Sequence, residues 1–296
     1  MPKPLHGVLP IVHTPFTSDG QIDDAALERE IDWAFSVGAD GMGTGMVSEL
    51  LRLTTAERLT LTEQIVQLAA GRGAVFAGVG AESIQQAVAL AKAAEKTGCD
   101  AVMAPPPMTT RSSAAGVLDY YRAIADSISL PVVVQDASGY VGQAIPLSLY
   151  QELLQRYGDD KILFKPEANP IGPNLSALRD ATGGRAKIFE GSGGIALIDS
   201  FRRGIVGTMP GMEFLDGIVA LWRALQAGDE ATAYRIYLPI CALVSLQLQA
   251  GLDGFLAIEK YLLVKRGIFT NALRRQPYNW ELDDETAAEV DRLFEM

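Results

Sequence analysis

The chain has 296 residues, 48% of them apolar, 21% charged and 7% aromatic, and its 25 basic against 36 acidic side chains leave a net charge of -11. That balance excludes a nucleic-acid backbone as partner, because such binding needs a concentrated basic face, and Arg202-Arg203 and Arg274-Arg275 are no more than pairs. Two cysteines, Cys99 and Cys241, exclude a disulfide framework, and the chain lacks the roughly 18 consecutive apolar residues of a membrane span, so a cytoplasmic protein without a membrane partner is expected.

Short apolar, β-branched runs alternate with longer amphipathic stretches through most of the chain. Strands are predicted at 7–15, 40–45, 74–80, 100–105, 131–136, 162–167, 187–191 and 204–208. Between the early ones lie helical patterns at 23–37, 55–70, 83–97 and 115–128. The second opens on Thr54-Thr55-Ala56-Glu57, the spacing of a capping box. A strand-helix unit repeated eight times predicts an α/β fold, a closed (β/α)8 TIM barrel over 1–228. An open doubly wound sheet fits less well, because Gly43-Thr44-Gly45 runs into Met46, Val47 and Ser48 without the third glycine of a dinucleotide turn. Residues 229–296 carry helical patterns with breaks at Gly267 and Pro277, and predict a C-terminal helical extension.

In such a barrel the reacting groups sit at the C-terminal strand ends and in the loops that follow. Lys165 interrupts the apolar run Ile162-Leu163-Phe164 and precedes Pro166. An amine desolvated at a strand end loses its proton more readily and attacks a carbonyl to form a Schiff base; the same position also suits a lysine that snorkels to the rim or pairs with Glu167. Lys187 and Lys161 come early in their strands and belong at the opposite end. His13 precedes Thr14-Pro15-Phe16 and could face the mouth, although a hydrogen-bonded core position is the commoner place for a lone histidine. His6, His13 and the two cysteines show no ligand spacing for zinc, so neither a metal nor a cofactor is expected. Glu49, Asp136, Glu167 and Glu190 also fall at strand ends. Gly191-Ser192-Gly193-Gly194 and Gly207-Thr208-Met209-Pro210-Gly211 read either as tight turns or as backbone cradles for a small anion.

With these residues placed, the chain resembles the dihydrodipicolinate synthase/N-acetylneuraminate lyase family, barrels that form a Schiff base with a 2-oxo acid. The likeness rests on Gly7-Val8-Leu9-Pro10 through Thr14-Pro15-Phe16, Gly38-Ala39-Asp40-Gly41, Ser48-Glu49, Gly78-Val79-Gly80, Gly98-Cys99-Asp100-Ala101-Val102 and, most specifically, Phe164-Lys165. It implies that Lys165 is the Schiff-base lysine, that the substrate is a small 2-oxo acid, and that the chain forms a homo-oligomer, a tetramer or a dimer. Four departures accompany it. Gln135 stands where the family carries a proton-relaying tyrosine, and an amide cannot relay a proton near neutral pH. Gly45-Met46-Val47-Ser48-Glu49 lacks the usual threonine hydroxyls that hold the substrate carboxylate. Tyr140 replaces an expected arginine, and no tyrosine follows Pro106-Pro107. These departures argue against a true dihydrodipicolinate synthase, and Ser48-Glu49, Val134-Gln135-Asp136-Ala137 and Phe164-Lys165-Pro166-Glu167 resemble the branch that dehydrates 2-keto-3-deoxy sugar acids, as in L-2-keto-3-deoxyarabonate dehydratase.

The expected activity is therefore a lyase that dehydrates a 2-keto-3-deoxy acid, with Lys165, Gln135 and Glu49 as catalytic residues and Ser48, Val47, Glu167, Gly191, Ser192 and Thr208 around the substrate. The alternatives are an aldolase releasing pyruvate, a synthase-like condensation, and a barrel that binds a 2-oxo acid without turnover.

Overall fold

The computed structural model describes residues 2–296. Eight parallel strands form a closed barrel: β1 (Gly7–Val8), β2 (Gly41–Gly43), β3 (Ala74–Gly78), β4 (Ala101–Ala104), β5 (Val132–Asp136), β6 (Ile162–Pro166), β7 (Phe189–Glu190) and β8 (Gly207–Thr208). Strands β2 to β6 pair in sequence order, and β7 and β1 flank β8. Two single bridges, Ile11 with Gly43 and Phe164 with Ile188, join the two sets into a ring.

The first strand pairs over less of its length than the sequence predicts. Gly7, Leu9 and Ile11 donate in turn to Val206, Thr208 and Pro210, after which Val12 donates to Gly43. Pro10 and Pro15 have no N–H to extend the ladder, so the chain peels away after Val12 and is free to carry His13 and Thr14 into the region above.

Seven barrel helices follow the strands as the period suggested, from α1 (Asp24–Val37) through α2 (Thr55–Ala69), α3 (Ile84–Thr97), α4 (Ala114–Ser127), α5 (Leu147–Tyr157) and α6 (Ile171–Ala181) to the short α7 (Leu197–Arg202), and α8 (Leu215–Ala227) completes the ring. The capping box forms as predicted: Glu57 N donates to Thr54 Oγ1 at 3.2 Å, and Thr54 N to Glu57 Oε2 at 2.8 Å. Gly98, at φ 96°, ends α3 in the left-handed conformation that costs glycine least.

The strand period of two sorts each strand between two cores. Val132, Val134 and Phe164 face the helices, while Leu9, Phe76, Met103, Val133, Leu163 and Met209 fill the barrel interior. Continuing the inward set by two residues toward the C-terminal end reaches Gln135 on β5 and Lys165 on β6, which are paired across the ladder.

Beyond the ring come α9 (Glu230–Gln247), α10 (Gly251–Lys265) and α11 (Asp284–Phe294). Helix α9 packs on α8, α10 and α11. The run Glu230–Lys265 has a window of mean hydropathy 1.5, apolar enough by composition to cross a membrane. In the fold it is split by Gly251, and α10 turns its buried residues, Phe255 through Lys260 among them, onto the barrel.

Candidate active site

A cavity opens at the C-terminal end of the barrel, lined by Gln135, Tyr140, Lys165, Glu167, Gly191 and Glu259 among others. Lys165 is 4% exposed. Its Nζ lies 2.9 Å from Glu167 Oε1, and Gln135 Nε2 donates to Glu167 Oε2 at 2.7 Å. One carboxylate thus bridges an amine and an amide on neighbouring strands. Burial pushes the Glu167 carboxyl above its ordinary range, opposed by the Lys165 charge and the Gln135 hydrogen bond. A carboxyl so placed is suited to holding a proton for part of a reaction cycle.

The close packing around the amine depends on Gly191. A methyl group there would come within 2.4 Å of Lys165 Cε and 2.6 Å of its Nζ, so any side chain would displace the amine. Asp136 fixes the loop that carries Tyr140, accepting from Ser138 N at 3.0 Å and Ile145 N at 2.7 Å. The Tyr140 ring meets Phe255 of α10 edge to face, with centroids 5.9 Å apart.

Several residues singled out from the sequence are placed elsewhere. Glu49 does not line the cavity: Lys260 Nζ donates to its Oε1, and Arg275 N to its Oε2 at 2.7 Å, so both oxygens serve a buried structural pair. Ser48 points its hydroxyl at Val12 O and accepts from Gly45 N, because the peeled first strand offers an unpaired carbonyl there; its neighbour Val47 does line the cavity. Ser192 and Thr208 both turn their hydroxyls onto Glu190, Thr208 at 2.7 Å. The Ser192 amide also donates to Glu190, at 2.6 Å, and α7 has six residues. The glycine-rich turn is therefore a clamp on Glu190 rather than an anion cradle. Lys187 pairs with Asp160 at 2.8 Å, and Lys161 donates to Ile128 O and Leu130 O, both away from the cavity as their early strand positions predict.

His13 is fully buried rather than at the mouth. Its Nδ1 lies 3.0 Å from Glu30 Oε1 and its Nε2 2.8 Å from Glu259 Oε2. Burial alone would lower the imidazole, but the charges of and hydrogen bonds to Glu259 and Glu30 outweigh it and lift it to about 10, so the ring is an imidazolium at neutral pH. Glu213 also approaches this group, within 4.8 Å of His13 and Glu259, a convergence from three distant segments that no linear spacing displays.

The contribution of α10 is what the sequence pattern did not disclose. Leu252, Phe255 and Glu259 reach the cavity from the helical extension, and Lys260 beside them is fully buried. The signal was present but unspecific: Glu259-Lys260 is a pair of charges inside an otherwise apolar helical run.

The dihydrodipicolinate synthetase family profile matches residues 4–296. The chain belongs to this family. Among curated relatives of the family, L-2-keto-3-deoxyarabonate dehydratase of Azospirillum brasilense is 30% identical over 293 residues, covering 96% of this chain and 92% of that protein. A 4-hydroxy-tetrahydrodipicolinate synthase of Acidiphilium cryptum is 36% identical over 130 residues, 44% of each chain, and an Escherichia coli protein named for 2-dehydro-3-deoxy-D-pentonate aldolase activity is 35% identical over 144 residues, covering 48% of this chain and 47% of that protein. The solved dihydrodipicolinate synthase of Rhodopseudomonas palustris superposes with a TM-score of 0.87 at 26% identity, covering 98% of this chain and 97% of that one. This family member is accordingly a barrel of the lyase class, with Gln135 at the end of its fifth strand.

Proposed function

We propose that this family member dehydrates a 2-keto-3-deoxy sugar acid through a Schiff base on Lys165. The observation that carries the reading is the Lys165–Glu167–Gln135 arrangement: an amine and a proton-holding carboxyl in contact, with an amide where a phenol would serve a synthase. The full-length likeness to a 2-keto-3-deoxyarabonate dehydratase supports it.

Lys165 passes a proton to Glu167 and attacks C2 of the substrate; Glu167 returns that proton to the carbinolamine hydroxyl, which leaves as water, so the iminium forms and Glu167 is again a carboxylate. The iminium draws electron density from C3, and Glu167 takes the C3 proton. The resulting enamine expels the C4 hydroxyl, which leaves as water with the proton that Glu167 returns. Hydrolysis of the iminium frees Lys165, and the net change is loss of one water from the acid. Gln135 holds Glu167 in place and keeps an amide next to the reacting carbons. Glu49 serves as a positioning residue, fixing the Gly45–Glu49 turn from below through Lys260. Cytoplasmic residence fits this reading, since Cys99 and Cys241 are both unpaired.

An aldolase reaction shares the first step and breaks the C3–C4 bond instead, and local likeness to the pentonate aldolase favours it as the second reading. A panel of 2-keto-3-deoxy pentonates and hexonates, analysed by mass spectrometry, separates the two. Dehydration retains the carbon count and removes one water; release of pyruvate selects the aldolase. Borohydride reduction in the presence of pyruvate is expected to leave an adduct on the Lys165 peptide, and its absence rejects both.

A further inference from the structure

Five polar side chains line the cavity: Gln135, Tyr140, Lys165, Glu167 and Glu259. Lys165, Glu167 and Gln135 are bonded to one another, and Glu259 holds the His13 imidazolium. The Tyr140 hydroxyl has no hydrogen-bond partner among the described residues, while its backbone N–H donates to Ala137 O at 2.8 Å. The loop that carries it is tied down on both sides. Asp136 accepts from Ser138 N and Ile145 N, and Gly139 lies so close to the end of β6 that a methyl group on it would come within 2.6 Å of Glu167 O. Phe255 of α10 braces the ring from the other side. At the cavity mouth the residue is 36% exposed, but its hydroxyl is the enclosed end: burial, and then the charges of Glu167, Glu190 and Glu259, push the phenol well above its ordinary range. It therefore keeps its proton at every working pH, and is a hydrogen-bond donor rather than a base.

We propose that Tyr140 is a catalytic residue whose hydroxyl donates a hydrogen bond to the C4 oxygen of the substrate as that oxygen leaves. The inference rests on the reading of this cavity as the site of a 2-keto-3-deoxy acid dehydratase. In that reading C2 is bonded to Lys165 and C3 faces Glu167, so the C4 oxygen lies next to Glu167, whose charge is the strongest of the three acting on the Tyr140 hydroxyl. Negative charge builds on the C4 oxygen as its bond to carbon breaks, and a donor already fixed beside it stabilises that charge without reorganising. The proton that completes the departing water still comes from Glu167. The Tyr140 O–H bond stays intact, so the step needs no further reactant.

The test is Tyr140→Phe, which keeps the ring against Phe255 and removes only the hydroxyl. With a 2-keto-3-deoxy pentonate, kcat is expected to fall about 10–10²-fold, the size of one hydrogen bond to a charged group, while KM stays close to that of the unsubstituted protein, as for a contact made only in the transition state. Borohydride trapping of pyruvate, which has no C4, is expected to proceed at an unchanged rate. An unchanged kcat overturns the proposal. So does a raised KM with kcat intact, which would make the phenol a grip on a spectator hydroxyl, and so does a parallel fall in pyruvate trapping, which would make it a support for Lys165. The parent reading fails on separate evidence: an unsubstituted protein that traps no pyruvate, or that splits the pentonate to pyruvate, is not the dehydratase, whereas normal trapping and dehydration with an indifferent Tyr140→Phe defeats the role of Tyr140 alone.

Discussion

Two buried lysines lie close to the mouth of the barrel, and their surroundings set them to opposite tasks. Lys260 on α10 is fully enclosed and donates to Thr14 O at 2.8 Å, Leu273 O at 2.7 Å and Glu49, with its charge 4.5 Å from the centre of the Phe16 ring. An ammonium has three N–H groups, and all three are used. Burial pushes its pKa down, and Glu49 opposes the shift. Lys165 is almost as buried but borders a cavity, and among the described residues its one ion-pair partner is Glu167. The difference teaches that burial alone does not make an amine reactive. A lysine with saturated donors and no adjoining space is a structural cation; one with a single partner and a cavity beside it can reach a carbonyl.

That contrast is broken most directly at Lys165. Lys165→Ala is expected to abolish both turnover and the borohydride adduct while circular dichroism shows the chain still folded; an adduct that survives on another lysine, Lys260 included, would undo the assignment. Glu167→Gln comes next. It keeps the shape of the wall but removes the proton carrier, and should lower kcat by about 10²–10⁴ while pyruvate still traps on Lys165. If adduct formation and turnover fall together, Glu167 acts by positioning the amine.

On the structural side, Lys260→Met leaves Glu49 buried and uncompensated. A loss of about 3–5 kcal/mol is expected in the urea unfolding free energy, with much of it recovered in Lys260→Met/Glu49→Gln; no recovery in the double variant would show that the ion pair is not what the site depends on. The smallest effect is a pH slope. The folded state holds protons on His13 up to about 10 and on Glu213 up to about 8, both above their unfolded values. Their contribution is therefore complete at low pH and is lost as pH rises, from about 4.5 to 8 for Glu213 and from about 6.5 to 10 for His13. Urea midpoints measured from pH 6 to 10 should fall, and Glu213→Gln should flatten the part below pH 8. A midpoint that rises over this range contradicts the buried imidazolium.

Much of the barrel was legible because its signals are local. Thr54 and Glu57 cap a helix within one turn, and the alternation through Val132 to Gln135 and Ile162 to Lys165 follows from the pleat of a strand. What the sequence marked was the place of Lys165 at a strand end; the pleat then carries it and Gln135 inward with Leu163 and Val133. Glu49 shows where this reasoning stops. It follows a strand end, as a catalytic carboxylate should, yet its φ of 59° and the reach of Lys260 from a helix 211 residues later turn it into a salt bridge. Ser192 follows β7 and Thr208 ends β8, but the direction of a hydroxyl is decided by the nearest buried acceptor, here Glu190.

The sequence by itself determined the repeating strand-helix unit and the lysine at the end of the sixth strand, since each depends on residues a few positions apart. Tertiary structure alone decided that α10 would bring Glu259 to the cavity, that His13 would be held between Glu259 and Glu30 with Glu213 close by, and that Lys260 would be saturated while Lys165 kept open space beside it. Those outcomes depend on which donors and acceptors are left unpaired when distant segments pack, and a buried polar group takes whatever partner the fold delivers within hydrogen-bond reach.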